Sequence, residues 1–243
     1  MDKQQFSTLC KDIFAQNPAV LQPNDQQIDL LCRLTEEMLR VNAFMNLTAI
    51  TDYSDIILKH YVDSVSIASQ IPEGVAVADI GCGAGFPSLP LAICRPDLQI
   101  TAIDSTGKRI HYIEQTAKLL GLTNLHPITM RAEDGGKSPE YREKFHTVTA
   151  RAVAALPILC ELCLPYAQVG GQWIAMKASK AEEETALAKH GIEKCGGEIT
   201  AVSHVSICRD GACEPRCLIT VHKKLPTPKN FPRNFAHISK KPL

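Results

Sequence analysis

Three glycines on alternate positions, Gly81, Gly83 and Gly85, follow a short apolar run in VADIGCGAGFPSLPLA (residues 77–92). An acidic residue, Asp104, closes the next apolar run, LQITAID (residues 98–104). A glycine turn after one strand and an acid at the end of the next is how an open parallel sheet holds a nucleotide. The turn lets the ligand approach the backbone, and the carboxylate accepts from ribose hydroxyls. The dinucleotide fingerprint is G-x-G-x-x-G or A, but here Phe86 fills the sixth place. Pro87 then opens the following helix at once, with fewer N–H donors for a pyrophosphate. An adenosyl ligand without phosphates fits better. S-adenosylmethionine is the expected cofactor, with Asp79 supporting its amino-acid end indirectly.

Elements must hold these residues, and the pattern around them supplies them. Between residues 75 and 177 strand-like runs (75–80, 98–104, 147–154 and 170–178, with a third strand within 125–134) alternate with helical ones (87–93, 108–121 and 155–168). That alternation predicts an α/β fold with a mostly parallel sheet covered by helices on both faces. Upstream, residues 1–71 read as helical. Asn24 and Gln27 form a capping box before Ile28, Leu31, Met38 and Leu39 at helical spacing, and residues 55–71 read as a further helix. The stretch from about 192 to 222 suggests one or two more strands. The last twenty residues, KLPTPKNFPRNFAHISKKPL, are rich in proline and basic groups and hold no acid.

Composition narrows the classes. The chain has 243 residues, 45% hydrophobic and 21% charged, with a formal net charge of zero. This suits one large domain or a domain with an appendage, and excludes a molecule that attracts nucleic acid by its overall charge. Any such contact must come from a local patch. The ten cysteines fall mostly in apolar runs. We expect free buried thiols rather than metal ligands, at Cys208, Cys213 and Cys217 too. The N-terminal MDKQQFSTLC shows no secretory pattern, which leads us to expect a cytoplasmic protein with no membrane association.

Several motifs then converge. VADIGCGAGFPSLPLAI, AIDSTGKRIHYIE, MRAED, TARAVAALPIL and GGQWIAMKA, with FMNLTAI and KHYVDS upstream, closely resemble the bacterial 16S rRNA guanine-N7 methyltransferase family (RsmG, formerly glucose-inhibited division protein B). The likeness covers residues 42–177 and returns at the C-terminal KKPL. It implies a class I, Rossmann-like methyltransferase core (72–225), an N-terminal helical extension (1–71) and a basic C-terminal tail (226–243). It also implies a monomer acting on 16S rRNA, the small ribosomal subunit or an assembly intermediate. Carried over by position, cofactor contacts fall at Gly81, Phe86, Ala132, Glu133 and Arg151, and Asp104 matches the family's acidic end of strand two; the glycine turn itself adds Gly83 as a cofactor-binding candidate. The chain departs from the family at Cys82, where Ser or Thr is usual, and at Ser88 and Ala178, where Gly is usual.

The chemistry implied is consistent with the residues. An exocyclic amine acceptor calls for a (D/N)PP(Y/F) motif after strand four, where this chain has TARAVAAL. A pyrimidine carbon needs a thiol nucleophile, whereas Cys160 and Cys163 read as helix residues. Guanine N7 offers an in-plane lone pair and loses no proton, so no general base is expected. Arg151 is placed to orient either the substrate edge or the cofactor. Asn46, Lys59 and His60 are candidates for lining the RNA approach, or else ordinary helix polarity. Arg131, Lys177, Arg233, Lys240 and Lys241 are candidates for phosphate contacts. The tail is either disordered or closes the fold, with Phe231, Phe235 and Ile238 as anchors. Three other readings stay open: a class I methyltransferase acting on a small molecule or protein, a nicotinamide-dependent oxidoreductase, and a non-catalytic rRNA-binding assembly factor.

Overall fold

The structure, a computed structural model, describes residues 1–178 and 181–243. The strands are β1 (Ala76–Ile80), β2 (Gln99–Asp104), β3 (Leu125–Thr129), β4 (Phe145–Arg151), β5 (Ala167–Lys177), β6 (Gly197–Arg209) and β7 (Ala212–Lys223). They form one sheet in the order β3-β2-β1-β4-β5-β7-β6. The strands β1 to β5 run parallel, and β7 enters antiparallel between β5 and β6. Strand order reverses between β1 and β4, which opens a crevice at their carboxyl ends.

Side chains alternate along each strand, so the sheet feeds two cores. Val77, Ile100, Ala102, Ile174 and Leu218 pack on one face with residues of α1 (Lys3–Ala15), α2 (Asp25–Met45), α5 (Ser88–Cys94) and α6 (Gly107–Leu120). Ala78, Ile103, Val148, Trp173 and Ile219 pack on the other with α8 (Leu156–Cys163) and α9 (Ala181–Lys194). The N-terminal helices share the first core: Phe6, Leu31, Met38 and Tyr61 are fully buried there. The expected capping box is present, with the Asn24 side chain accepting from Gln27 N–H at 2.9 Å.

Three features depart from the sequence reading. The helix expected over 55–71 begins at α3 (Tyr53–Ile56), passes through a π-helical stretch, Ile57–Val62, and ends at α4 (Asp63–Val65). Helices α9 and α10 (Phe235–Lys240) have no counterpart among the expected elements. The expectation of free thiols fails at Cys208 and Cys213, which form a disulfide. The physical reason is register: β6 and β7 turn through Asp210 and Gly211, both at positive φ, which sets Cys208 directly opposite Cys213. Such two-residue turns suit Asp-Gly and match the twist of the strands. The other eight cysteines, Cys217 among them, are free and buried.

Candidate active site

A cavity of about 460 Å³ opens at the carboxyl ends of β1, β2, β3 and β4. Its floor is the turn after β1. Gly81 needs its φ of +73° and also the missing side chain: a Cβ there would meet Val153 Cγ2 at 2.6 Å. Gly83, at φ +57°, has only the Gly81 carbonyl oxygen, 3.9 Å away, near a hypothetical Cβ. A ligand can therefore come against bare backbone. The nearly buried Asp104 braces this turn: its carboxylate accepts from Gly83 N–H at 3.0 Å and Thr106 N–H at 2.7 Å. Each carboxylate oxygen keeps acceptor capacity for a ribose hydroxyl. The turn donor that a pyrophosphate would need is thus occupied by an acid.

The opposite wall comes from the helix Tyr53–Val65. A π-helical turn shifts the angular register of the residues beyond it, and such turns recur at functional sites. Here it sets His60 and Asp63 against the end of β4. The His60 ring stacks on Phe86, 4.3 Å between centroids and 10° between planes. Its Nε2 lies 3.0 Å from the Thr48 hydroxyl, and Thr48 is held by the Asn42 amide through its own N–H and carbonyl. Burial, and secondarily the Arg151 charge, push His60 down to about 4, so the ring is neutral at pH 7.

Arg151 Nη1 donates to Asp63 Oδ2 at 2.7 Å and to the Lys59 carbonyl at 3.1 Å. Its guanidinium sits 5.5 Å from the Phe86 centroid, within cation–π range. The other oxygen of Asp63 accepts from Arg216 Nε of β7 at 2.9 Å. Among the described residues, Arg151 Nε and Nη2 have no protein partner, which leaves them for a ligand. Behind the turn, the buried Asp79 accepts from the Ser88 hydroxyl, while its second oxygen has no partner among the described residues. Burial raises Asp79 to about 6, despite the Ser88 bond.

The cavity brings together Gly81, Gly83, Phe86, Asp104, Ala132, Glu133, Arg131, Arg151 and His60. Asp79 stands behind the wall, not in it. Asn46, at φ +50°, caps α2 just before the lining residues Leu47 and Thr48. Other expectations need correction. Lys59 pairs with Asp55 and Glu214, and reaches the site only through its backbone carbonyl. Lys177 donates to the Ala154 carbonyl at 2.8 Å and pairs with Glu184 at 2.6 Å. Arg233 is a bidentate partner of the fully buried Glu161. Each of these cations is paired with a carboxylate of the fold. Lys240 and Lys241, at the end of α10, are exposed outside the cavity lining, which leaves their expected phosphate contact standing. Sequence reasoning missed Asp63, Thr48 and Arg109. Asp63 lies in the quoted KHYVDS, but its partners are 88 and 153 residues away.

The lining fits an adenosyl cofactor. The volume suits a small ligand, the glycine cradle admits close approach, and Asp104 and Glu133 offer acceptors to hydroxyl and amine groups. Burial pushes the Cys82 thiol up, so it stays protonated and is no nucleophile.

Solved structures share this architecture. A putative transferase from Pyrococcus horikoshii matches with a TM-score of 0.54 at 17% identity, covering 67% of this chain and 63% of that one. M. jannaschii TYW2 in complex with AdoMet gives 0.52 at 18%, covering 66% and 76%. A SAM dependent methyltransferase from Aquifex aeolicus gives 0.52 at 19%, covering 70% and 93%. At these identities the likeness speaks for the fold, the class I methyltransferase fold. Sequence relatives lie much nearer. Ribosomal RNA small subunit methyltransferase G of Lactobacillus delbrueckii subsp. bulgaricus is 44% identical over 212 residues, 86% of this chain and 88% of its own. The protein of the same name from Brevibacillus brevis is 41% identical over the full length of both chains. The family model described as rRNA small subunit methyltransferase G matches residues 27–210, which include both walls of the cavity. With that match and relatives of full length, the chain belongs to the GidB family of small-subunit rRNA methyltransferases.

Proposed function

We propose that this protein uses S-adenosylmethionine to methylate N7 of a guanine in 16S rRNA, acting as a cytoplasmic monomer. The cofactor supplies an electrophilic methyl group on its sulfonium. Gly81 and Gly83 would give it bare backbone, Asp104 would accept from its ribose, and Ala132 and Glu133 would hold its adenine end. Asp79 supports the turn from behind through Ser88. The division into extension (1–71), core (72–225) and tail (226–243) belongs to the same proposal.

The observation that carries the reading is the Arg151 wall. Asp63 and the Lys59 carbonyl fix Nη1, and Nε and Nη2 have no protein partner among the described residues of the lining. The O6 and N7 atoms of guanine are an acceptor pair that Arg reads well. N7 attacks through its lone pair with no proton to remove, so orientation and distance are what the wall must provide. The ring gains positive charge as the methyl arrives. A His60 held neutral adds no second cation beside Arg151. Cys160 and Cys163 are fully buried and do not line the cavity, which disfavours thiol-initiated carbon methylation.

Mapping N7-methylguanine in small-subunit rRNA with and without the gene tests this. One modified guanine should vanish and return on treatment with purified protein. An unchanged rRNA would end the proposal. Parallel assays on naked rRNA, subunits and metabolites distinguish the acceptor.

A further inference from the structure

The segment after β7 is a strap, not a loose tail. Arg142 donates to the carbonyls of Thr227 at 2.6 Å and Phe231 at 2.8 Å, and to that of Gly136 at 2.7 Å. The fully buried Lys223 donates to the Leu164 carbonyl at 2.6 Å and to the Thr227 hydroxyl. Glu161, also fully buried, accepts from Arg233 N–H at 2.6 Å and from its guanidinium. Phe231 and Ile238 are buried, and Asn234 caps α10 by accepting from His237 N–H at 3.0 Å.

Phe235, the first residue of α10, is the exception. It is 39% exposed, yet it lines the cavity, with the Arg131 guanidinium 6.0 Å from its ring centroid. The strap reaches this place by packing on α7 (Ala132–Gly135), the helix after β3: a Cβ on Gly136 would meet Pro232 at 3.0 Å. It also touches α8, the helix after β4. Phe235 therefore stands over the β3 end of the crevice, while Arg151 and His60 stand at the β1–β4 join.

We propose that Phe235 is a cofactor-binding residue, its ring covering the adenine so that the strap forms the outer wall of the adenosine subsite; this rests on the S-adenosylmethionine reading of the cavity. The cofactor must run from the glycine turn past Asp104 toward β3, because the turn follows β1 and the ribose acceptor ends β2. Its adenine then lies beside Ala132, Glu133 and Phe235. An RNA base is the weaker occupant there: Glu133 and Asp104 face the same space and oppose a phosphodiester. Stacking on an aromatic ring is worth about a tenfold change in affinity per base.

Calorimetry with S-adenosylhomocysteine and with adenosine tests the assignment. F235A should weaken both ligands by about the same tenfold factor. F235W should retain wild-type affinity, and F235L should lose most of it. Melting without ligand should hardly change, since the ring is partly in solvent. Unchanged ligand affinity in F235A would overturn the proposal, as would a rise confined to the KM for rRNA. If the wild type itself failed to bind S-adenosylhomocysteine, the cofactor reading would fall first.

Discussion

The two walls of the cavity are built by opposite means. The glycine turn and Asp104 form a backbone wall: its bracing bond joins residues 21 apart, between neighbouring strands. The helix Tyr53–Val65 and Arg151 form a side-chain wall, in which Asp63 joins elements 88 and 153 residues away. The first wall can be recognised within a short window of sequence and is held by backbone geometry. The second exists only once the sheet has formed and β7 has been inserted. Loss of the bracing carboxylate should therefore appear differently: in ligand affinity at Asp104, in global stability at Asp63.

The largest expected effect breaks this contrast or confirms it. D63N removes the buried anion shared by two partly buried guanidinium groups, of which Arg216 keeps Glu214. Breaking such a pair costs about 3 kcal/mol, read as a lower denaturation midpoint without ligand. D104N should shift that midpoint far less while weakening S-adenosylhomocysteine by about tenfold or more. Equal destabilisation by both variants would remove the distinction.

R151K sharpens the role of the second wall. Lysine keeps the charge but loses the planar fork, and misplacing a substrate can cost about 100-fold in rate. The fall should lie mainly in kcat, measured by single-turnover methyl transfer, with the melting temperature lowered less than in D63N. If affinity for S-adenosylhomocysteine fell in step with kcat, the cofactor rather than the guanine would be what Arg151 orients.

At the first wall, G81A combines left-handed backbone with a contact on Val153. A cost of about 2 kcal/mol is expected. Adding V153A should restore only the steric part. G83A meets no neighbour closely and should cost about 1 kcal/mol. Chemical denaturation of the three variants orders them.

The last effect is one of pH. His60 is depressed to about 4 in the fold. The unfolded chain therefore takes up the proton first, and this stability is present above about pH 6.5, the ordinary histidine value, and lost as pH falls toward 4. Asp79 is raised to about 6. Its contribution has the opposite sign: present below the usual carboxylate range and lost as pH rises through about 6. D79N should thus gain on the wild type between about pH 4 and pH 7 in denaturation series. A constant difference would show that Asp79 does not titrate across that interval.

What the sequence disclosed obeys the same division. Alternating runs were enough for β1 to β5, because each strand's burial pattern is its own. The glycine turn and Asp104 were legible through spacing alone. Asp63 was not, since nothing local tells an acid that pairs across the sheet from one that faces water. Lys177 and Arg233 were misread for the converse reason: their acidic partners, Glu184 and Glu161, belong to other elements. Helix α9 was overlooked beside the strand signal that comes after it. The disulfide was within reach, because the Asp210-Gly211 pair fixes the hairpin register, and the register places Cys208 against Cys213.

The π-helical stretch has a consequence for the reading frame of its helix. A π turn holds one residue more than an α turn. Deleting a single residue from Ile57–Val62 would let the helix run on as regular α, at roughly 100° per residue. Asp63 and the residues after it would keep their place along the axis relative to α5 while His60 and Lys59 turned away from Phe86 and Arg151. The helix thus works as a phase adjuster between two interfaces.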